Sequence, residues 1–249
     1  MPGSSVPGSL TKAAYEHLRA EILACRLLPG QRLKVNELCG QLSVSLGAVR
    51  EALAGLAAEG LVVAEAQKGF TVATVSARDL EDLTATRMDI EALCLKSALS
   101  AGDVEWEARI VSSFHRLSKT PLRALGDDKR LSDEWAAAHK EFHLALVSAC
   151  TSTWLLRLRD ILYAQSERYR RLSIPVAKED RDLDAEHRAI MEAVLARNTA
   201  KAIELIQVHF ALTTRLLKPL TELSVEVDSS SAPTGLATPR RRRATANAS

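Results

Sequence analysis

The protein has 249 residues, and its 33 lysines and arginines against 31 aspartates and glutamates give a formal net charge of +2. Hydrophobic residues make up 47% of the chain and aromatic residues only 4%, which favours a helical protein with a buried core over a β-sandwich or barrel. The sequence excludes a transmembrane protein, because no apolar run approaches the roughly 18 residues of a membrane span, and its first residues show neither the basic nor the apolar region of a secretory signal. We therefore expect a cytoplasmic protein. Its four cysteines are widely spaced without a C-x-x-C pair, which predicts reduced packing residues.

The first 75 residues predict three helices followed by a short hairpin. Residues 1–10 are rich in Pro, Gly and Ser and predict a flexible lead-in, and helical spacing of apolar residues begins at Thr11. Ser45 is a suitable N-cap for the third helix. The predicted elements are helices over about 11–25, 35–42 and 46–59 and strands over 61–63 and 70–72. This order predicts a winged helix-turn-helix domain over residues 11–75.

The rest of the chain predicts only helices and a tail. The predicted helices cover residues 78–101, 103–118, 129–150, 152–173, 179–197 and 199–222. Their combined length is sufficient for an independent antiparallel bundle, so we expect an all-helical domain over residues 76–223. Residues 224–249 are rich in Ser, Ala and Pro, contain an arginine run at 240–243, and predict a disordered tail. The fold class expected for the whole chain is mainly α.

A winged helix-turn-helix domain binds DNA through its second motif helix, whose first turns reach bases and phosphates in the major groove. In the segment 45–53 the only cation is Arg50, and arginine contacting guanine is the commonest specific base contact; the alternative is a surface charge beside Glu51. Lys68 and Gly69 at the hairpin tip suit a wing in the minor groove, or form an ordinary turn. Two further cations, Arg32 and Lys34, are either phosphate contacts or solvated surface charges. The predicted DNA-binding residues are Arg32, Lys34, Ser45, Gly47, Arg50, Lys68 and Gly69.

Several short motifs in this region keep a fixed order and spacing. They are PGQRL at 29–33, VREAL at 49–53, EGLV at 59–62 and KGF at 68–70. Together they resemble the DNA-binding domain of GntR-family bacterial transcription regulators, which implies a homodimer on a palindromic double-stranded operator. Such proteins usually carry an arginine at the start of the recognition helix, where this chain has Leu46 followed by Gly47-Ala48 in place of Thr-Pro. Because leucine binds neither phosphate nor guanine, the family's set of base contacts is altered here.

Four histidines of the helical region are spaced so that their rings can meet. His139 and His143 are four residues apart and share one helix face, and His187 and His209 lie beside apolar residues on two later helices. Imidazoles arriving from three inward-facing helices suit Zn²⁺, Ni²⁺ or a similar borderline metal. The alternative is a set of ordinary core histidines. His115 is interpreted as a helix-surface residue.

Residues 78–222 resemble the FCD effector domain of the FadR branch of GntR regulators. The motifs that carry the resemblance are RMDIE at 87–91, FH at 142–143, EHRAI at 186–190 and the segment 202–209. In many FCD domains an aspartate and three histidines hold a metal; His143, His187 and His209 match the three histidines, and His139 replaces the aspartate. The resemblance therefore implies a divalent metal, with zinc expected, on four histidines. Because a neutral histidine replaces the aspartate, this site has one negative charge fewer than the usual FCD site, which favours an anionic ligand that completes the coordination.

The resemblance also implies a small organic acid as effector. Arg87 stands where FCD proteins place an arginine that pairs with the effector carboxylate, and the alternative is a salt bridge from Arg87 to Glu91. Arg168 is a second candidate for effector binding, whereas Arg170 and Arg171 are interpreted as a solvated basic run. A narrower resemblance, to repressors of carbon-starvation and glutarate genes, implies a short dicarboxylate such as glutarate. The motifs that carry it lie at 49–53, 67–70, 139–143 and 193–197.

The function predicted from these features is a ligand-responsive transcription repressor without catalytic residues. One alternative is a metal-dependent hydrolase with Glu141 or Glu186 as general base. That alternative lacks an H-E-x-x-H spacing and leaves the winged helix unexplained. Another is a constitutive DNA-binding protein with a purely structural metal, which closure of all four positions by histidine would suit.

Overall fold

The computed structural model describes residues 7–173 and 181–229, which form a winged helix-turn-helix followed by a helical bundle. The helices are α1 (Pro7–Leu23), α2 (Val35–Leu42), α3 (Leu46–Ala58), α4 (Ala77–Ala101), α5 (Val104–Lys119), α6 (Asp133–Val147), α7 (Thr153–Ser173), α8 (Leu183–Leu195) and α9 (Thr199–Ser229). The strands are β1 (Arg32–Leu33), β2 (Val62–Glu65), β3 (Gly69–Val72), β4 (Arg123–Ala124) and β5 (Asp127–Leu131). The mainly helical fold class is thus confirmed. The arginine run at 240–243 lies outside the described residues.

The apolar spacing along α1 forms the core of the N-terminal domain. Leu18 and Ile22 are fully buried and pack in one cluster with Val49, Leu53 and Leu56 of α3. Because these residues recur every three or four positions, each helix buries one face and exposes the other. The first helix and the third helix are therefore held together as one packed unit.

A three-stranded antiparallel sheet in the order β1-β3-β2 completes this domain. The hairpin places Glu65 opposite Gly69, with Gln67 and Gly69 in the left-handed region at φ values of 63° and 92°. This geometry turns the chain within three residues, and glycine accepts it without steric cost. The predicted hairpin is confirmed, whereas β1 was not predicted because two residues are too few to show an alternating pattern.

The N-terminus of α3 is capped as predicted. The Ser45 side-chain oxygen accepts a hydrogen bond from the Ala48 amide at 3.2 Å, and Ser45 itself has extended backbone. Such a cap satisfies one of the amides that the first helical turn leaves without a partner. It also fixes where the exposed face of α3 begins.

All six predicted helices of the bundle are present, but several helix boundaries in the chain, and one element, differ from expectation. Helix α1 begins at Pro7 rather than Thr11, because proline is well tolerated at the first position of a helix. Helix α9 continues to Ser229, beyond the expected end at residue 222. The prediction of no strand in this region was wrong: β4 and β5 pair around a turn at Gly126 (φ 78°), and α6 starts only at Asp133. Polar residues fill most of β5, so the alternation that would reveal it is absent.

The bundle has a single main core that surrounds α6. Trp106 of α5 and Phe142 of α6 are fully buried in it, and the Trp106 indole donates to the Ala145 carbonyl at 2.8 Å. Helix α4 packs against α7 and α9, and α5 packs against α6 and α8. None of the helices in the described ranges is long and apolar enough to cross a membrane.

Helix α7 contacts both parts of the molecule. Its Gln165 side chain donates to the Glu59 carbonyl at the end of α3 at 2.7 Å, and its Arg168 side chain donates to the Ala73 carbonyl after β3. The Cys25 thiol, just after α1, donates to the Arg168 carbonyl at 3.4 Å. These contacts join the N-terminal domain to one face of α7.

Candidate functional site

The four predicted histidines meet in the interior of the bundle. His139 and His143 come from α6, His187 from α8 and His209 from α9, and all four are buried. One ring nitrogen from each lies within 4.8 Å of the others, and the Nε2 atoms of His139 and His143 are 3.1 Å apart. The ring centroids of His187 and His209 are separated by 4.7 Å. This is the arrangement that several imidazoles adopt around one small cation.

The chemistry of these side chains fits a divalent metal. Burial lowers the pKa of His139, His143 and His187 well below the ordinary value and that of His209 to about 4, so the rings are neutral and each offers a lone pair. Both ring nitrogens of His187 lack a hydrogen-bond partner among the described residues. A buried polar group without a partner costs about 1–3 kcal/mol, and coordination to a cation removes that cost.

Glu186 holds His209 in a fixed orientation. Its Oε2 lies 2.7 Å from His209 Nδ1 and accepts a hydrogen bond from Arg181 at 2.6 Å. Burial alone would raise the pKa of Glu186, but the hydrogen bonds from Arg181 and His209 outweigh it and lower the pKa to about 2. A carboxylate on one imidazole nitrogen leaves the other nitrogen unprotonated and aimed at a metal. Sequence reasoning considered Glu186 only as a general base and did not identify Arg181.

The other general base considered, Glu141, lies away from the histidines. It is exposed on α6, and its carboxylate accepts from Arg116 of α5 at 2.5 Å. Both glutamates already have partners: Glu141 pairs with Arg116 away from the cluster, and Glu186 pairs with Arg181 and His209.

Arg87 faces the histidine cluster from α4. Its guanidinium lies 3.8 Å from the centre of the Phe210 ring and 5.2 Å from that of Tyr163. Burial lowers the pKa of Arg87 to about 10, partly offset by the charge of Glu91, so the side chain is still cationic at neutral pH. The alternative salt bridge from Arg87 to Glu91 does not form. Within the described residues, the Nε and Nη2 atoms of Arg87 have no hydrogen-bond partner.

The structure does not bring Arg168 to the histidines. Its guanidinium donates to the Ala73 carbonyl of the N-terminal domain and to Gln165 at 3.4 Å, so it belongs to the contact between α7 and that domain. The interpretation of Arg170 and Arg171 as solvated was wrong: their side chains are only 11% and 12% exposed. Both are ion-paired to acidic side chains, and such pairing lets long basic side chains lie in a partly buried position.

Tyr163 is a residue of this site that sequence reasoning missed. It is buried, and its hydroxyl lies 3.3 Å from His139 Nδ1 and accepts from Arg170 at 3.1 Å. A single tyrosine at this position, in a helix rich in Leu and Arg that also holds Tyr169, carries no spacing signal. Its position becomes evident only from the packing of α7 beside α6.

The predicted DNA-contacting side chains share one surface of the N-terminal domain. A depression of about 520 Å³ lies between the start of α3 and the wing. It is lined in part by Arg32, Lys34, Leu46, Arg50, Lys68 and Gly69. Ser45 and Gly47 are exposed at the adjoining helix terminus. The surface therefore combines a helix N-terminus with four cations, which come from β1, the residue before α2, helix α3 and the turn of the hairpin.

Most cations of this surface have local partners. Lys34 pairs with Glu37 at 2.8 Å, Lys68 pairs with Glu65 at 2.8 Å, and Arg32 donates to the Lys68 carbonyl at 3.0 Å. Arg50 is exposed on α3 and has no hydrogen bond or ion pair with any residue that the structure describes. Its guanidinium is thus available to an external acceptor.

Comparisons with known proteins agree with both parts of the fold. The description "Bacterial regulatory proteins, gntR family" matches residues 10–72, and the FCD domain matches residues 82–212. The HTH-type transcriptional regulator BphR of Paraburkholderia xenovorans is 44% identical over 201 residues, which cover 81% of this chain and 82% of that protein. The HTH-type transcriptional repressor GlaR of Escherichia coli is 35% identical over 202 residues, or 78% and 90% of the two chains.

Two solved structures share the fold at low identity. The E. coli protein McbR/YncC superposes with a TM-score of 0.68 at 18% identity, over 90% of this chain and 99% of that chain. A putative transcriptional regulator GntR from Rhodococcus sp. RHA1 superposes with a TM-score of 0.65 at 22% identity, over 84% and 98%. From the match of the FCD domain to more than half of the chain, and from the identity with BphR and GlaR, the protein belongs to the GntR family of bacterial transcription regulators with an FCD effector domain.

Proposed function

We propose that the protein is a homodimeric repressor whose binding to a palindromic operator is released or altered by a small organic acid. The acid binds over a divalent metal, with zinc as the first expectation, held by His139, His143, His187 and His209. The observation that carries this proposal is the convergence of four buried, neutral imidazoles beside the cationic Arg87. Its action belongs in the bacterial cytoplasm, where the operator DNA is.

The DNA part of the proposal rests on the exposed face of α3 and on the wing. Arg50 is the residue we assign to base contacts, because it projects from the second turn of α3 and has no partner among the described side chains. Lys68 and Gly69 at the wing are assigned to the minor groove, and Arg32 and Lys34 to phosphates. Two copies of such a domain match a palindromic operator, because each recognition helix reads one half-site.

The effector part rests on charge. The bound metal supplies a Lewis-acid centre to which a carboxylate oxygen can bind. Four neutral histidines leave the cation's charge uncompensated, so an anionic ligand is favoured over a neutral one. Arg87 offers unpaired Nε and Nη2 donors to a carboxylate. A short dicarboxylate such as glutarate has one carboxylate for the metal and a second for the arginine.

The proposal is tested by thermal-shift measurements on the zinc-loaded protein against a panel of mono- and dicarboxylates. We expect one acid to raise the melting temperature, and we expect His143→Ala to abolish that response. A DNA fragment selected from random duplexes then reports whether the same acid weakens DNA binding.

Two other outcomes would favour other functions. If no acid shifts the melting temperature, but chelation unfolds the protein, the metal is structural and the repressor is constitutive. If ester or amide substrates are cleaved in proportion to bound zinc, a hydrolase is favoured and the repressor proposal fails.

A further inference from the structure

We infer that Tyr163 and Arg170 are positioning residues of the histidine cluster, and that the ionic chain beginning at Arg170 couples this cluster to helix α1. The inference rests on the proposed metal centre and names how a change at that centre reaches the DNA-binding domain. The ionic chain is defined here as Arg170, Glu167, Arg171, Asp133 and Arg26.

The first link joins His139 to Arg170 through Tyr163. Arg170 Nη2 donates to the Tyr163 hydroxyl at 3.1 Å, and this hydroxyl lies 3.3 Å from His139 Nδ1. On the other side of the ring, His139 Nε2 lies 3.1 Å from His143 Nε2, so in the metal-free protein one of these two nitrogens carries the shared proton.

A cation at the cluster changes this proton arrangement. If His139 Nε2 binds the cation, its ring proton must lie on Nδ1, and His139 then donates to the Tyr163 oxygen. The Tyr163 hydroxyl now accepts from both His139 and Arg170, and its own proton turns away from His139. The direction of one hydrogen bond beside Arg170 is thereby fixed by occupancy of the cluster.

The second link is the ionic chain, which runs from Arg170 to the turn after α1. Glu167 forms an ion pair with Arg170 through Oε2 and accepts a hydrogen bond from Arg171 through Oε1 at 3.0 Å. The side chains of these three residues are only 9–12% exposed, and partly buried pairs interact more strongly than pairs in bulk water. Asp133 bridges the last step: its Oδ1 lies 2.6 Å from Arg171 and its Oδ2 lies 3.2 Å from Arg26.

The space around the ionic chain allows the C-terminal end of α1 to shift relative to α7. A cavity of about 510 Å³ lies between parts of α1, α6 and α7, and its wall includes Tyr163, Glu167, Arg171, Asp133 and Arg26. Polar contacts across a cavity can be exchanged without disturbing a packed core, whereas close packing would resist movement. Because α1 packs tightly on α3, a shift of its C-terminal end carries the recognition helix with it.

The test measures amide hydrogen exchange in residues 17–28, which include the end of α1, with Zn²⁺ as the probe. The variants are Tyr163→Phe, which removes the bridging hydroxyl, and Glu167→Gln, which weakens the chain. Glu141→Gln is the matched control, because Glu141 forms an ion pair with Arg116 outside the chain. Bound zinc is counted by native mass spectrometry, and DNA is not required.

In the wild type and in Glu141→Gln we expect zinc to change exchange in this segment by about two- to fivefold, the range expected for gain or loss of one ion pair. In Tyr163→Phe and Glu167→Gln we expect zinc to bind without that change. A zinc-dependent change that is equal in all four proteins, or absent from the wild type although zinc binds, overturns the inference. If zinc does not bind the wild type, the metal proposal fails separately. In that case metal-free Glu167→Gln must still raise exchange in residues 17–28 above Glu141→Gln, or the ionic chain fails as well.

Discussion

Arg159 donates to the Glu91 carboxylate at 3.1 Å, and both side chains are almost completely buried, at 1% and 0% exposure. Arg159 also donates to the His143 carbonyl at 2.8 Å. This ion pair uses Glu91 Oε1, and although Oε2 has no hydrogen-bond partner among the described residues, Arg87, one turn earlier on α4, does not pair with it. The cationic Arg87 is thus kept for an external anion, at the edge of the histidine cluster.

Arg87→Met is expected to abolish stabilisation by organic acids while leaving the fold intact. The substitution removes two unpaired donors to a carboxylate, and hydrogen bonds to charged groups contribute about 1.5–3 kcal/mol each, so affinity falls roughly a hundredfold or more. Because Arg87 is a buried cation without an ion-pair partner in the described chain, its removal costs little stability. Thermal shift with glutarate on the zinc-loaded protein measures both effects.

Arg159→Met serves as the contrasting variant. It leaves the Glu91 carboxylate buried and unpaired, which costs about 3–5 kcal/mol of unfolding free energy. An Arg87→Met protein that binds glutarate as tightly as the wild type would remove Arg87 from the effector site.

His187→Ala is expected to remove the metal at little cost to the metal-free protein. Neither ring nitrogen of His187 has a hydrogen-bond partner among the described residues, so its loss breaks no hydrogen bond in the metal-free state. Metal analysis after dialysis is expected to give one equivalent for the wild type and for His115→Ala, whose imidazole is exposed on α5. Retention of a full equivalent by His187→Ala would contradict the four-histidine site.

Glu186→Gln is expected to weaken metal binding about 10–100-fold, the usual effect of removing a carboxylate that orients a histidine ligand. The amide keeps the size of the side chain but loses the charge that holds both His209 and Arg181. Competition with a chelator measures the affinity. Glu192→Gln, an exposed change on the same helix, is the control, and equal affinities for the two variants would exclude an orienting role for Glu186.

Arg50→Ala is expected to weaken specific DNA binding by about 1–3 kcal/mol, the contribution of one bidentate base contact. Fluorescence anisotropy with selected duplexes gives the Kd, and the melting temperature is expected to stay unchanged because the side chain is exposed. Arg109→Ala removes an exposed arginine from α5, far along the chain from the recognition helix. A loss of affinity that is similar in both variants would indicate only non-specific charge effects.

The sequence predicted what local spacing encodes. The i, i+4 pair of His139 and His143 and the cap at Ser45 are properties of one helix, and both are present. The spacing of Arg87 and Glu91 on α4 suggested a salt bridge between them, but Glu91 pairs instead with Arg159, 68 positions later. No spacing rule on α4 reveals that partner.

Arg168 and Arg170 show the same limit within one turn of α7. They are two residues apart and therefore point to different sides of the helix, one toward the N-terminal domain and one toward Tyr163. From the sequence, the basic run predicted solvation of Arg170 and Arg171 and effector binding by Arg168. Only the packing of a domain on each side of α7 distinguishes them.

The contacts of Gln165 and Arg168 have a consequence for how such a protein diversifies. Both side chains donate to main-chain carbonyls of the DNA-binding domain, those of Glu59 and Ala73. Every residue has a main-chain carbonyl, so the interface between α7 and the DNA-binding domain depends on the backbone conformation at these positions and not on which side chains they carry. Substitutions on the recognition surface can therefore change the operator preference while the DNA-binding domain keeps its contact with helix α7.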